Sequence, residues 1–419
     1  MEKNIEVIFG KFFGYKRNRF YVEDVPVRDI VEKWNTPCYI YSKNYLLHQI
    51  KKFKNSFSRI NSLICYSVKA NSNINILKIM RENGLGADVV SEGELRRTLL
   101  AGFSPSKIVF AGVGKSEEEI EFGIKNNIFC FNVENEEEIN LIENLGKKYK
   151  KEVLCNLRLN LDIEIDTHHY IKTSKKETKF GLDLQTASKI IKRKYKYAKI
   201  KGFHLHLGSQ IKEISPYIKA IKKVREFSKN INFSPEIIDI GGGFGIPYSL
   251  RDKSFDIEKF GDRICREIEE LRVKLLILEP GRFIVGNTAI VVSKVLYVKR
   301  RKGKNFVIID AGMNDLIRPA FYGSYHLILT EKKSKGKEMK ADIVGPICES
   351  GDFLGKGVKV PVDIKRGDLI IIGNAGAYCF SMSSNYNSRR RPCEILVDGK
   401  KEIEIRKREK FEDLWKGEI

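Results

Sequence analysis

Lys69 stands in the run Cys65-Tyr66-Ser67-Val68-Lys69-Ala70-Asn71, where it ends an apolar stretch that reads as a buried strand. A charge at the mouth of a buried strand is poorly solvated, and a lysine there can have its pKa lowered. Such an amine is a nucleophile that forms a Schiff base with a carbonyl. Taken alone, the position is better read as a lysine that snorkels past the strand end. Its company further along the chain favours chemistry.

His204-Leu205-His206 is followed by Gly208-Ser209-Gln210, then Gly241-Gly242-Gly243, then Glu279-Pro280-Gly281-Arg282. The two histidines are two apart on a strand and face one side. Such a pair could ligate a metal, but His48, His168, His169 and His326 are not at neighbouring strand ends and no thiolate pair completes a set. No metal is expected; one histidine lying flat on an aromatic cofactor is the better alternative. Bare glycine turns let backbone N–H groups approach a phosphate closely. Glu279 ends a strand, where a carboxylate is costly unless compensated, either by an ion pair with Arg282 or by a ligand. A lysine that traps an aldehyde, a phosphate cradle and a carboxylate able to keep a pyridine nitrogen protonated are the parts that pyridoxal 5′-phosphate requires.

Positioning these groups takes a repeated scaffold. Eight short apolar runs, at 63–68, 87–90, 108–111, 128–133, 153–159, 202–207, 237–240 and 273–278, alternate with amphipathic charged stretches such as 75–83, 92–101, 117–126 and 136–148. That alternation predicts a parallel (β/α)8 barrel, an α/β fold whose active sites lie at the C-terminal strand ends. Lys69, Arg158, Asn160, the two histidines, the glycines and Glu279 all fall there. A doubly wound sheet is disfavoured because no glycine-rich dinucleotide loop follows the first strand. From about residue 287 the pattern changes to short strands separated by Gly, Asp and Lys turns, which predicts a second, mainly antiparallel β domain. Segments 5–9, 20–22 and 38–41 also read as strands, which either join that β domain or close the barrel from outside. The division expected is a cofactor-binding barrel over 38–286 and a β-rich domain from 287–419 with the segment 1–37.

Composition narrows the class. A chain of 419 residues implies two domains. No apolar run is long enough to span a membrane, and the N-terminus has no apolar leader, so a cytoplasmic protein is expected. Eight cysteines without a CxxC pair suit reduced thiols. The formal charge of +22 is carried by dispersed lysines, with no zinc-finger spacing and no RNP-type aromatic motif, so no nucleic-acid partner is expected.

The motifs Tyr66-Ser67-Val68-Lys69-Ala70-Asn71, His204-Leu205-His206-Leu207-Gly208-Ser209-Gln210, Gly241-Gly242-Gly243-Phe244-Gly245 and Glu279-Pro280-Gly281-Arg282 resemble those of the fold-type III pyridoxal-phosphate-dependent decarboxylases. So do Met313-Asn314-Asp315-Leu316-Ile317-Arg318-Pro319-Ala320-Phe321-Tyr322, Cys348-Glu349-Ser350-Gly351-Asp352 and Gly376-Ala377-Tyr378. The resemblance runs over nearly the whole chain and is nearest to the branch that converts meso-2,6-diaminopimelate to L-lysine and CO2. It implies an alanine-racemase-type barrel with a β domain, and a homodimer with shared sites. It implies that Lys69 carries the cofactor, His206 stacks on its ring and Glu279 pairs with its nitrogen. Ser209, Gly243, Gly281, Arg282 and Tyr378 would hold the phosphate. Arg282, Arg318, Tyr322 and Tyr378 would bind substrate, with Glu349 at the distal amino group. Cys348 and Glu349 would come from the second subunit, Cys348 as proton donor. Two departures from the family pattern, Glu92 and Ser174, where glycine is usual, fall in loops beside the site. Other readings are a decarboxylase of D-ornithine or D-lysine, or of a carrier-linked glutamyl group, and a non-catalytic homologue. The last would be expected to lose Lys69 or the glycines, and this chain keeps both.

Overall fold

The computed structural model describes residues 2–163, 179–333 and 336–418, with the side chains of residues 2–4 excepted. The chain forms two compact units, one of Ile50–Gly245 with Phe255–Phe283, the other of Met1–Gln49, Ile246–Ser254 and Ile284–Ile419.

The first unit is a closed, all-parallel eight-stranded barrel. Its strands are β1 (Ser62–Ser67), β2 (Gly86–Val89), β3 (Ile108–Phe110), β4 (Cys130–Val133), β5 (Val153–Arg158), β6 (Ala198–His204), β7 (Ile237–Asp239) and β8 (Leu275–Leu278). They pair in sequence order, and β8 closes on β1. Each predicted run supplies one strand. The intervening helices start where local chemistry provides a cap. Asn73 accepts from Asn75 N ahead of Ile74–Glu82, Ser91 from Glu94 N ahead of Glu92–Leu100, and Ser116 with Glu119 forms a reciprocal capping box ahead of Glu117–Lys125. Glu117, Glu118 and Glu119 also place negative charge at the positive end of that helix's dipole.

Period-two alternation along the strands divides the barrel into layers. Cys65, Val109, Cys130, Ile237 and Ile277 form an apolar cluster. Two residues further on, Ser67, Asn132, Asp239 and Glu279 are buried and polar. The C-terminal end of the barrel is therefore a layer of polar groups resting on an apolar floor.

The second unit is built on a nine-stranded, mainly antiparallel sheet. Its main path runs Phe353–Pro361, Glu338–Val344, Lys304–Ile309, Ala289–Arg301, Cys38–Ser42, Cys393–Asp398, Lys401–Arg406. Leu369–Ile372 pairs with Ala289–Arg301, and Ile328–Thr330 pairs with Leu369–Ile372. A separate three-stranded sheet comprises Phe13–Lys16, Arg19–Val22 and Val25–Pro26. Two local expectations need correcting. Residues 5–9, read as a strand, belong to the helix Glu2–Phe9, because Ile5, Ile8 and Phe9 bury one helical face at i, i+3, i+4 spacing. Cys38–Ser42, assigned by its position to the barrel, is buried along its whole length as a central strand between Ala289–Arg301 and Cys393–Asp398. The eight cysteines are free thiols, and only Cys348 is exposed. Among the described residues no helix is long and apolar enough to cross a membrane.

Candidate active site

Strand β1 ends at Ser67, and a single 3-10 turn, Val68–Ala70, lifts Lys69 off the strand end. Its Nζ lies 2.6 Å from Oδ2 of Asp88, a fully buried carboxylate on β2. Ser67 Oγ is 2.8 Å from the same oxygen and 2.9 Å from the Glu279 carbonyl. Burial, then the charge of Glu279, pushes the Asp88 carboxyl up, while the Lys69 ammonium opposes both. The amine is thus held by one carboxylate at the centre of the polar layer. Asp88 was not singled out from the sequence, although a carboxylate in the middle of the apolar run Ala87-Asp88-Val89-Val90 is itself a signal.

Glu279 follows β8 and is 2% exposed. Asn132 Nδ2 donates to Glu279 Oε1 at 3.2 Å and to Asp239 Oδ2 at 3.1 Å, and Asn156 Nδ2 donates to Asn132 Oδ1 at 3.2 Å. His204 Nε2 lies 3.4 Å, and His206 Nδ1 4.0 Å, from Glu279 Oε2. Burial works against the Glu279 charge, but His204 and Lys69 outweigh it and hold the carboxyl below its usual range. On the adjacent strand, burial and the Glu279 charge drive Asp239 well above that range. The two neighbouring carboxyls are therefore pushed in opposite directions, Glu279 toward the charged form and Asp239 toward the neutral one. The ion pair of Glu279 with Arg282 that the sequence suggested is not among its contacts, since Asn132 and His204 take that place. Burial, followed by the charges of Arg158 and Lys69, holds the His206 imidazole well below its ordinary pKa. The direction favours the neutral imidazole at His206.

The glycine turn closes over this layer. Gly241 and Gly243 have φ of 68° and 92°, and a Cβ on either would run into the Leu205 or Gly208 carbonyl. Tyr217 Oη donates to the Gly242 carbonyl at 2.7 Å. After β8, a Cβ on Gly281 would lie 3.0 Å from Ser67 Cβ and 2.9 Å from Ala70 Cβ, so this turn packs directly on the lysine turn. Arg282 Nη2 donates to Ser209 Oγ at 3.0 Å, which brings together two groups from loops far apart in sequence. Arg158, at the end of β5, is buried against Glu134 and lies 4.6 Å from the Phe180 ring. Asn160 Nδ2 donates to the Phe180 carbonyl at 3.2 Å.

These groups fit pyridoxal 5′-phosphate. The amine, the imidazole and the buried carboxylate converge on one end of the barrel, and the glycines bring bare backbone up beside them. His204, His206 and Glu279 also have ligand atoms within 4.8 Å of one another, as a metal site would. The positive charges of Lys69 and Arg158, both acting on His206, oppose a dication there. Glu94, capped by Ser91 and accepting from Val90 N at 2.9 Å, is a further buried acid that the sequence reading did not assign. Burial pushes it up to about 7 against the pull of Lys69. The departure Glu92 turns toward Arg96, whose Nε donates to Glu92 Oε1 at 2.7 Å, within the same helix. Ser174 lies outside the described residues.

Arg318, Tyr322, Cys348, Glu349 and Tyr378 belong to the other unit. Arg318 opens the short helix Arg318–Tyr322 and is 7% exposed. Its guanidinium carbon lies 5.6 Å from the ring centres of both Tyr248 and Tyr322, and its Nη2 donates to Ser324 Oγ at 3.2 Å. Among the described residues no carboxylate pairs with it. Cys348 and Glu349 are exposed on a loop that Asp352 ties down, its two oxygens accepting from Met313 N at 2.7 Å and Ile347 N at 2.8 Å. Tyr378 adopts a left-handed φ of 57°.

Comparison with known proteins agrees with this chemistry. Residues 44–286 match the model of the pyridoxal-dependent decarboxylase, pyridoxal binding domain. The chain is 39% identical to a diaminopimelate decarboxylase of Aquifex aeolicus, covering 96% of each chain. It is 41% identical to that of Haemophilus influenzae, covering 96% of this chain and 98% of the other. A crystal structure of the M. jannaschii diaminopimelate decarboxylase in complex with L-lysine superposes with a TM-score of 0.92 at 35% identity, covering 97% of both chains. The lysine-holding turn, the histidine beside Glu279 and the full-length relatives agree, and the chain belongs to the diaminopimelate decarboxylase family of pyridoxal-dependent decarboxylases.

Proposed function

We propose that this chain removes one carboxyl group of meso-2,6-diaminopimelate, giving L-lysine and CO2. The observation that carries the reading is the convergence of the Lys69 amine, the His206 ring and the buried Glu279 carboxylate beside the glycine turn. The relatives that share this chain nearly end to end carry that activity in their names, and the M. jannaschii structure was determined with L-lysine.

Pyridoxal 5′-phosphate supplies an aldehyde that condenses with amines and a protonated ring that accepts the electron pair left when CO2 departs. Lys69 would hold it, with Asp88 keeping the side chain in place before substrate arrives. His206, pushed by its burial toward the neutral form, would lie against the ring. Glu279 would keep the proton on the ring nitrogen, and Asp239 is pushed by burial and by the Glu279 charge toward the neutral form beside it. Ser209, Gly243, Gly281, Arg282 and Tyr378 would bind the phosphate.

Arg318 is the proposed selector. A buried guanidinium without a carboxylate is costly, and a substrate with a carboxylate at its far end removes that cost. D-Lysine and D-ornithine lack that group and leave the fork unpaired. Arg282, Tyr322, Tyr378 and Glu349 would complete the grip. CO2 release from meso-2,6-diaminopimelate, D-lysine and D-ornithine tests the assignment directly. Diaminopimelate should be preferred by about a hundredfold or more in kcat/KM, and Arg318→Leu should remove most of that preference. Faster turnover of either D-amino acid by the wild-type protein would overturn the substrate assignment.

A homodimer with shared sites is part of this proposal, with Cys348 of one subunit donating the proton at the other's reacting carbon. Lys69→Ala and Cys348→Ala chains should each be inactive alone. Co-expressed, they should recover about a quarter of wild-type activity, since random pairing puts half the chains in heterodimers with one intact site each. Demonstrated heterodimers that remain inactive would show that Cys348 does not act across subunits.

A further inference from the structure

Arg318 is fixed in an unusual way for a residue proposed to recognise a carboxylate. A guanidinium carries five N–H donors. Among the described residues Arg318 forms one hydrogen bond, to Ser324 Oγ at 3.2 Å, and its buried Nε has no partner. Two aromatic rings lie against the group, Tyr248 and Tyr322, each with its centre 5.6 Å from the guanidinium carbon. The two rings differ in how firmly they are held. Tyr322 ends a five-residue helix and is half-buried. Tyr248 is 8% exposed and is constrained on two sides. Its backbone N–H donates to Asp252 Oδ2 at 2.8 Å, with Ser249 N donating to the same oxygen at 3.1 Å. Its ring stands edge-on to His326 at 5.5 Å and 80°, and His326 is itself anchored by Nδ1 at 2.9 Å from the Gly373 carbonyl.

We propose that Tyr248 is a specificity-setting positioning residue, the rigid wall that orients the Arg318 fork for the far carboxylate of the substrate. Two parallel N–H···O bonds to a carboxylate require the fork and the carboxylate to share a plane. Cation–π attraction to an immobile ring restricts rotation of the guanidinium while leaving its donors unused. The hydrogen-bonded loop at 248–252 thus serves Arg318 although it lies far from it in sequence. The inference rests on the reading of Arg318 as the carboxylate grip.

The test compares two ligands of the holoenzyme. L-Lysine keeps the far carboxylate and cadaverine lacks it, so their inhibition constants separate orientation of Arg318 from general damage. Tyr248→Leu and Tyr248→Met should each weaken L-lysine, and raise KM for meso-2,6-diaminopimelate, by about tenfold. The value of kcat should stay within about twofold, because the far grip acts alike before and during reaction. Cadaverine inhibition should be unchanged, and Tyr248→Phe, which keeps the ring, should restore L-lysine binding. Arg318→Leu serves as the reference. If it weakens L-lysine while both ring-less variants do not, Tyr248 has no positioning role and the reading of Arg318 stands. If Arg318→Leu leaves L-lysine binding unchanged, the reading of Arg318 fails and the role of Tyr248 with it. Equal weakening of L-lysine and cadaverine in the Tyr248 variants would also overturn the proposal.

Discussion

Lys69→Ala should reduce decarboxylation by at least roughly a thousandfold, since no other residue is proposed to hold the cofactor and receive it back after each turnover. The fold should survive. Lys69 lies on a three-residue turn beyond β1, so its removal leaves the barrel pairing untouched. What it does disturb is Asp88, which loses its ammonium at 2.6 Å. Burial and the Glu279 charge already push that carboxyl up, and only Lys69 and local hydrogen bonds hold it down. In the variant Asp88 should therefore take up a proton and remain buried as a neutral acid, which limits the loss of stability. Thermal unfolding alongside the activity assay checks this. Borohydride reduction of wild-type protein with pyridoxal 5′-phosphate should fix the cofactor on Lys69, and peptide mapping that found it on another lysine would end the assignment.

Glu279→Gln isolates charge from shape. The amide can still accept from Asn132 Nδ2 at the position where the carboxylate accepts at 3.2 Å, so the polar layer should stay assembled. Its negative charge is lost, and with it the group proposed to hold a proton on the ring nitrogen. The loss should fall on kcat, by about a hundredfold, with KM changing by less than about threefold, because the charge matters most as negative charge develops on the substrate carbon. Binding of pyridoxal 5′-phosphate to the cofactor-free protein should change little, since phosphate contacts dominate it. Asp239 offers a further readout. Part of its upward push comes from the Glu279 charge, so its ionisation should move back toward the ordinary range in the variant. An unchanged kcat would remove Glu279 from the chemistry.

The proposed residues differ in how visible they were before folding. Lys69, Glu279 and the glycines could be read directly because each breaks a local pattern. A charge at the end of an apolar run, and three glycines after another, need no knowledge of neighbours. The eight strands could be read for the same reason: the alternation of apolar runs with charged amphipathic stretches is a local signal. Asp88, Asn132 and Asp239 share the interior of those runs with apolar residues and look like minor interruptions. Tyr248 looks like one more aromatic in a turn. The misread helix at Glu2–Phe9 shows how short apolar segments leave the period ambiguous, with Ile5, Ile8 and Phe9 settling it only once buried.

Local order, then, was written along the chain: which segments alternate, where strands end, and which reactive side chains stand at those ends. The tertiary structure alone decided the partners and the charge states. Closure of β8 onto β1 brings Glu279 to Ser67, and β2 carries Asp88 to Lys69. The sheet pairing draws Cys38–Ser42 away from the barrel and between strands near residues 290 and 395. Whether Glu279 is an anion and Asp239 an acid depends on which charges lie within a few ångströms in a buried, poorly screened space. That is a property of distance through space, and sequence separation carries no measure of it.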